Sequence, residues 1–115
     1  MNNNSILKIR PAWVEVDLDK SINNLNEVKR VVGNNVKVCA VIKADAYGLG
    51  AINIAKAYKT QGVDMFAVAV LSEGLELRKE IKETPILVLG YTPEYLFEEA
   101  IKDDITLTIY NYQHA

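Results

Sequence analysis

An amine closes an apolar run in this sequence. Val36 to Ile42 is interrupted only by Lys37, and Lys43 ends it. A lysine leaving an apolar strand can snorkel, with its stem packed and its ammonium in water. An amine held partly desolvated instead has a lowered pKa and forms a Schiff base with an aldehyde cofactor. The residues that follow are Ala44-Asp45-Ala46-Tyr47-Gly48-Leu49-Gly50. Gly48 and Gly50 permit close backbone approach and an unusual φ, as phosphate-binding turns require. They precede a helix N-terminus, which favours anions, although the same spacing also suits a plain βα turn. Lys37 and Lys43 lie about 20 Å apart along a strand. In a barrel that separation puts one at the bottom rim and the other at the mouth.

The elements that would carry these residues are legible from periodicity. Trp13 to Leu18 alternates β-formers and predicts a strand, and Asp19 predicts the cap of a helix bearing Ile22, Leu25, Val28 and Val32. Gly33 closes that helix. Val36 to Ile42 predicts a strand buried on both faces, with Lys37, Cys39, Val41 and Lys43 on one side and Val38, Ala40 and Ile42 on the other. Ala51, Ile54, Ala55 and Tyr58 predict a helix ended by Gly62, and Met65 to Val70 a second buried strand. Ser72 reads as the cap of a helix with Gly74, Leu77 and Ile81 inward, and Ile86 to Gly90 as a third strand. Thr92-Pro93 reads as cap and first helical residue before a stripe of Phe97, Ala100 and Ile101, and Ile105 to Tyr110 as a fourth strand. Strand–helix alternation signals a parallel α/β sheet. Periodicity leaves two architectures open: a small doubly wound sheet, or the first four units of a (β/α)8 barrel, which takes about 250 residues. In both, ligands bind at the carboxyl ends of the strands, where Lys43 falls.

The string Ala40-Val41-Ile42-Lys43-Ala44-Asp45-Ala46-Tyr47-Gly48 resembles the pyridoxal-phosphate lysine motif of bacterial alanine racemases. The flanks agree at matching distances: Arg10-Pro11-Ala12-Trp13-Val14-Glu15-Val16-Asp17-Leu18-Asp19, Glu73-Gly74-Leu75-Glu76-Leu77-Arg78, Pro85-Ile86-Leu87-Val88-Leu89-Gly90 and Thr108-Ile109-Tyr110. The resemblance implies parallel (β/α) units forming about half of a TIM-like, pyridoxal-phosphate-binding barrel over residues 10–115, behind a flexible tail at 1–9. The rest of the barrel and a β-rich domain would lie outside this sequence. It further implies pyridoxal 5'-phosphate joined to Lys43 as a Schiff base, with Lys43 also one of two catalytic bases, on the D-enantiomer side. Tyr47 would contact the cofactor phosphate, Leu89 would pack near the ring, and Val41 would lie close to it. The family's opposing tyrosine comes from the β-rich domain of the partner subunit, and its arginine against the pyridine nitrogen lies downstream.

The function so implied is interconversion of L- and D-alanine by a cytoplasmic homodimer, supplying D-alanine for cell-wall synthesis, with these 115 residues inactive alone. The alternative is a non-catalytic pyridoxal-phosphate binding or homeostasis protein on the same barrel, but such proteins generally lack the Ala46-Tyr47-Gly48 continuation. One position departs from the family: Leu49 stands where members often carry histidine.

Composition narrows the remaining classes. A net charge of −2 with 24% charged residues and no basic clusters argues against nucleic acid as partner. Half the residues are hydrophobic, enough for one packed core. No apolar run reaches membrane-spanning length and Met1-Asn2-Asn3-Asn4-Ser5 is no signal peptide, so no membrane partner is expected. One cysteine excludes an internal disulfide and a CxxC metal site, and no metal is expected. Cys39 reads as a small buried strand residue, His114 as part of a frayed terminus, and Tyr91 and Tyr95 as surface aromatics. Glu76, Arg78, Lys79 and Glu80 read as a solvated helix face with i,i+4 pairing.

Overall fold

The computed structural model describes residues 11–115, so the tail expected at 1–9, and Arg10, lie outside the described residues. The elements run α1 (Leu18–Val32), β1 (Cys39–Val41), a short turn of helix α2 (Lys43–Tyr47), α3 (Ala51–Thr60), β2 (Met65–Val68), α4 (Leu71–Glu80) and β3 (Ile86–Val88). A 3-10 turn at Glu94–Leu96 leads into α5 (Phe97–Lys102) and β4 (Ile105–Leu107). The four strands are parallel and ordered β1-β2-β3-β4, with Ala40, Phe66, Ile86 and Ile105 in register across them.

That sequential order decides between the two architectures. A doubly wound sheet reverses its strand order and so covers both faces with helices. Right-handed crossovers that always step to the next strand put their helices on one face. Phe66, Val68, Ile86, Val88 and Ile105 accordingly join Ile54, Leu71, Leu77 and Ile81 in one core. Each large side chain buried there contributes about 1.5–3 kcal/mol before chain entropy is counted. Gly74 shows how closely α4 lies on the sheet: a Cβ there would meet Val68, Ile86 and Ile105 side-chain atoms at 3.6 Å each. On the opposite face Cys39, Val41 and Thr106 are exposed and Met65 and Leu87 half-buried. The sheet is one wall of a β/α barrel.

Several local expectations are corrected. Trp13 to Asp17 forms no strand, because among the described residues no neighbour lies beside it to complete a ladder. Asp17 rather than Asp19 caps α1, its Oδ1 accepting the Lys20 N–H at 3.1 Å. Of the α1 stripe only Leu25 is fully buried, and Val28 and Val32 are exposed. The strand expected over 36–42 shortens to Cys39–Val41 because Val38 turns aside to Asp64, donating its N–H to Oδ2 at 2.7 Å. Cys39 is exposed because, among the described residues, no helix lies over its side of the sheet.

Ser72 lies inside α4, whose first turn is held by Glu73 instead. Thr92 caps nothing: it is buried with its Oγ1 unpartnered, and α5 starts only at Phe97. Ile101 is 77% exposed, leaving Ala100 as the buried anchor of α5. His114 is buried rather than frayed, with Nε2 facing the Thr92 carbonyl at 2.8 Å and Nδ1 accepting the Tyr110 N–H at 3.4 Å. Tyr91 stacks on its ring. Arg78 leaves the expected solvated face and is buried, and Glu80 pairs with Lys56 of α3 at 3.0 Å instead of within its own helix. Tyr91 and Tyr95 are exposed, as expected.

Candidate active site

The ladder continues just past β1, where the Ile42 N–H donates to the Ala67 carbonyl at 2.8 Å. Beyond Lys43 the chain winds the wrong way. Ala44 (φ 50, ψ 50), Asp45 (φ 54, ψ 45), Ala46 (φ 54, ψ 47) and Tyr47 (φ 56) all occupy left-handed backbone, so α2 is a left-handed turn. Gly48 ends it at φ 87, where glycine alone is unstrained. Each non-glycine residue in this region costs roughly 1–2 kcal/mol, so the four together cost on the order of 4–8 kcal/mol. Such a segment persists only where its surroundings over-determine it.

The surroundings do so in three ways. The turn closes on itself, with Ala46 N–H donating to Ile42 at 3.0 Å and Gly50 N–H to Asp45 at 2.9 Å. Ala46 is buried in the core beneath it. Two carboxylates then pin its ends: Asp45 Oδ1 accepts the Ala51 N–H at 2.8 Å, and Glu73 Oε2 accepts the Ala44 N–H at 2.8 Å. The first of these takes up the Ala51 amide, one of the N–H groups at the start of the helix after Gly50.

The residues singled out from sequence gather at the carboxyl edge of the sheet. Lys43 is half-buried one step beyond the last ladder bond, and Tyr47 is exposed at the end of the left-handed turn. Val41 and Leu89 belong to the open face, where they are 42% and 38% exposed. Beside Leu89, the Gly90 N–H donates to the Ala69 carbonyl at 2.8 Å, and any Cβ at 90 would collide with that oxygen. Lys37 is exposed before the amino end of β1, at the opposite end of the strand from Lys43. Leu49, where the resemblance departs, is exposed and donates its N–H to the Ala46 carbonyl at 3.1 Å.

Three further residues frame this edge that sequence reasoning gave no role. Glu73 grips the turn, Thr108 Oγ1 donates to the Val88 carbonyl at 2.7 Å, and the Tyr110 hydroxyl donates to the Leu89 carbonyl at 2.7 Å. The position of Glu73 three residues after a helix start was the available signal. A cleft of about 310 Å³ opens between α3 and α4, walled by Ile42, Asp45, Ile52, Val68, Glu73 and Leu77. Ile42 and Val68 belong to the helix-covered core, so the cleft lies behind the sheet from the open face. The donor set at the edge suits an aromatic aldehyde phosphate: an amine to bond the aldehyde, a phenol for the phosphate, and an apolar wall for the ring.

A singly wound parallel sheet with a lysine at the carboxyl end of its first strand defines a β/α-barrel wall with an amine on its rim. Comparison with known proteins is specific about which barrel. The family described as alanine racemase, N-terminal domain, matches residues 16–115, and the chain belongs to it. Alanine racemase 1 of Caldanaerobacter subterraneus subsp. tengcongensis is 49% identical over 107 residues, covering 93% of this chain and 28% of that protein. The solved alanine racemase of Clostridium difficile 630 is similar at 48% identity and a TM-score of 0.84, over 89% of this chain and 27% of the other. The alanine racemase of Bartonella henselae, solved with covalently bound pyridoxal phosphate, is 29% identical with a TM-score of 0.77, over 86% of this chain and 28% of that one. The chain thus spans just over a quarter of the length of these relatives.

Proposed function

We propose that this chain supplies the lysine-bearing barrel wall of a pyridoxal 5'-phosphate-dependent alanine racemase, acting on L- and D-alanine within a homodimer. The observation that carries the reading is Lys43 at the carboxyl end of β1, on a left-handed turn kept in spite of its strain. Family membership and the names of the relatives support it. Pyridoxal phosphate, when bound, serves as the electron sink that makes an amino acid's α-proton removable.

The chain's own residues perform the rest. Lys43 Nζ anchors the cofactor and then moves the α-proton on one face of the substrate. The Tyr47 hydroxyl holds the phosphate, while Val41 and Leu89 pack beside the ring and exclude water. Inversion needs a second acid–base group on the opposite face, because one amine reaches one face only. The family resemblance puts that group outside these 115 positions, so the chain alone is expected to racemise nothing measurable.

The test is to add pyridoxal phosphate to the chain, reduce with borohydride, and locate the modified residue by mass spectrometry. Label is expected on Lys43 and is lost in Lys43→Ala. Label on Lys37, or on no lysine, overturns the assignment. Robust alanine racemisation by the purified 115-residue chain overturns the requirement for an outside base.

A further inference from the structure

Glu73 makes more bonds than a helix start requires. A glutamate at the third position of a helix normally reaches back to the N–H preceding its first turn. Glu73 Oε1 does this, accepting the Ala69 N–H at 2.8 Å and the Val70 N–H at 3.2 Å. Its other oxygen is not needed for that task. Oε2 instead crosses to the end of β1 and accepts the Ala44 N–H at 2.8 Å, 29 residues upstream and adjacent in sequence to Lys43. Ala44 is the first residue of the left-handed turn.

The helix carrying Glu73 is itself fixed. Gly74 faces Val68, Ile86 and Ile105 within van der Waals distance of where its Cβ would stand, and Leu71 and Leu77 are buried in the core. A rigid helix therefore holds the amide between Lys43 and Ala44, the peptide unit whose orientation sets where the Lys43 side chain leaves the backbone.

We infer that Glu73 is a positioning residue for Lys43, its carboxylate clamping the Ala44 amide so that the left-handed turn presents the Lys43 amine at the carboxyl edge of the sheet. The inference rests on the reading of Lys43 as the cofactor anchor.

Glu73→Gln separates clamp from cap. A glutamine has one acceptor oxygen, which can keep the Ala69 and Val70 bonds, and its NH2 would then face the Ala44 N–H donor to donor. The parent and variant chains are compared by amide hydrogen exchange without cofactor, and by pyridoxal phosphate fixed on Lys43 with borohydride. In the variant, Val70 is expected to remain protected while Ala44 exchanges about tenfold faster, the factor that about 1.4 kcal/mol represents. Fixation on Lys43 is expected to fall by a similar factor. A folded variant in which Ala44 exchange and Lys43 fixation match the parent overturns the inference. Should the variant not fold, the parent decides: a protected Ala44 amide upholds the clamp, and one exchanging like a free amide overturns it. A parent chain taking no label on Lys43 overturns the functional reading alone, because the exchange comparison scores the clamp without any cofactor.

Discussion

Single residues here work by unusual backbone as much as by side-chain chemistry. Ala44, exposed at φ 50 and ψ 50, carries a Cβ that left-handed backbone disfavours. Ala44→Gly removes about 1–2 kcal/mol of that strain against roughly 0.5–1 kcal/mol of added unfolded-chain entropy. A small net gain, a raised urea midpoint, is expected. Ala44→Val adds a β-branched side chain at the same backbone and is expected to lose at least about 1 kcal/mol. Midpoints that move in the same direction for both variants would remove the strain argument. Cys39 gives a second test. Burial pushes its thiol above the ordinary range although the residue is exposed overall. Because the folded-state pKa is raised, the protonated thiol favours folding at neutral pH, and that contribution is lost as pH climbs through the raised value. Alkylation at about pH 8 is therefore expected to run slower in the folded chain than in urea, since the thiolate is the nucleophile. Equal rates would contradict the shift.

At the scale of elements, one side chain ties three segments together. The Arg78 guanidinium is buried, pairs with no carboxylate among the described residues, and donates to five carbonyls: Asp103 from Nε, Ile81, Lys82 and Thr84 from Nη1, and Asp104 from Nη2. It joins the end of α4 to the entry of β3 and to the turn before β4, where Asp104 sits at φ 53. Lysine offers three donors from one point and cannot span these acceptors. Arg78→Lys is expected to cost roughly 2–3 kcal/mol, read as a lower urea midpoint at unchanged slope. A midpoint equal to the parent's would show the network to be dispensable. In the sequence Arg78 looked like part of a solvated face, because charge and helical spacing say nothing of which carbonyls a neighbouring turn will bring.

At the scale of the whole molecule, helices cover one face of the sheet and, among the described residues, leave the other open. Val41 and Leu89 are partly exposed there, and β1 and β4 are its edge strands among the described residues. Unpaired edges and bare apolar surface promote association. The isolated chain is expected to associate through them, giving a concentration-dependent mass above 12.8 kDa by light scattering. A mass that stays at the monomer value at every concentration would contradict this. No helix among the described residues is long and apolar enough to cross a membrane.

Sequence by itself determined the alternation of strand and helix, the inward faces of α3 and α4, and the place of Lys43 at the carboxyl edge. Those features follow from periodicity and from local motifs such as Lys43 to Gly48. Tertiary structure decided the rest. Trp13 to Asp17 has the composition of a strand but no neighbour among the described residues, and a strand exists only as a pair. His114 became a core residue because Tyr91 and the Thr92 carbonyl came to meet it. The handedness of the turn after Lys43 was hidden as well. Its strain is borne by Ala46 in the core and by Glu73 from another helix, and contacts between distant positions leave no local trace in the order of residues.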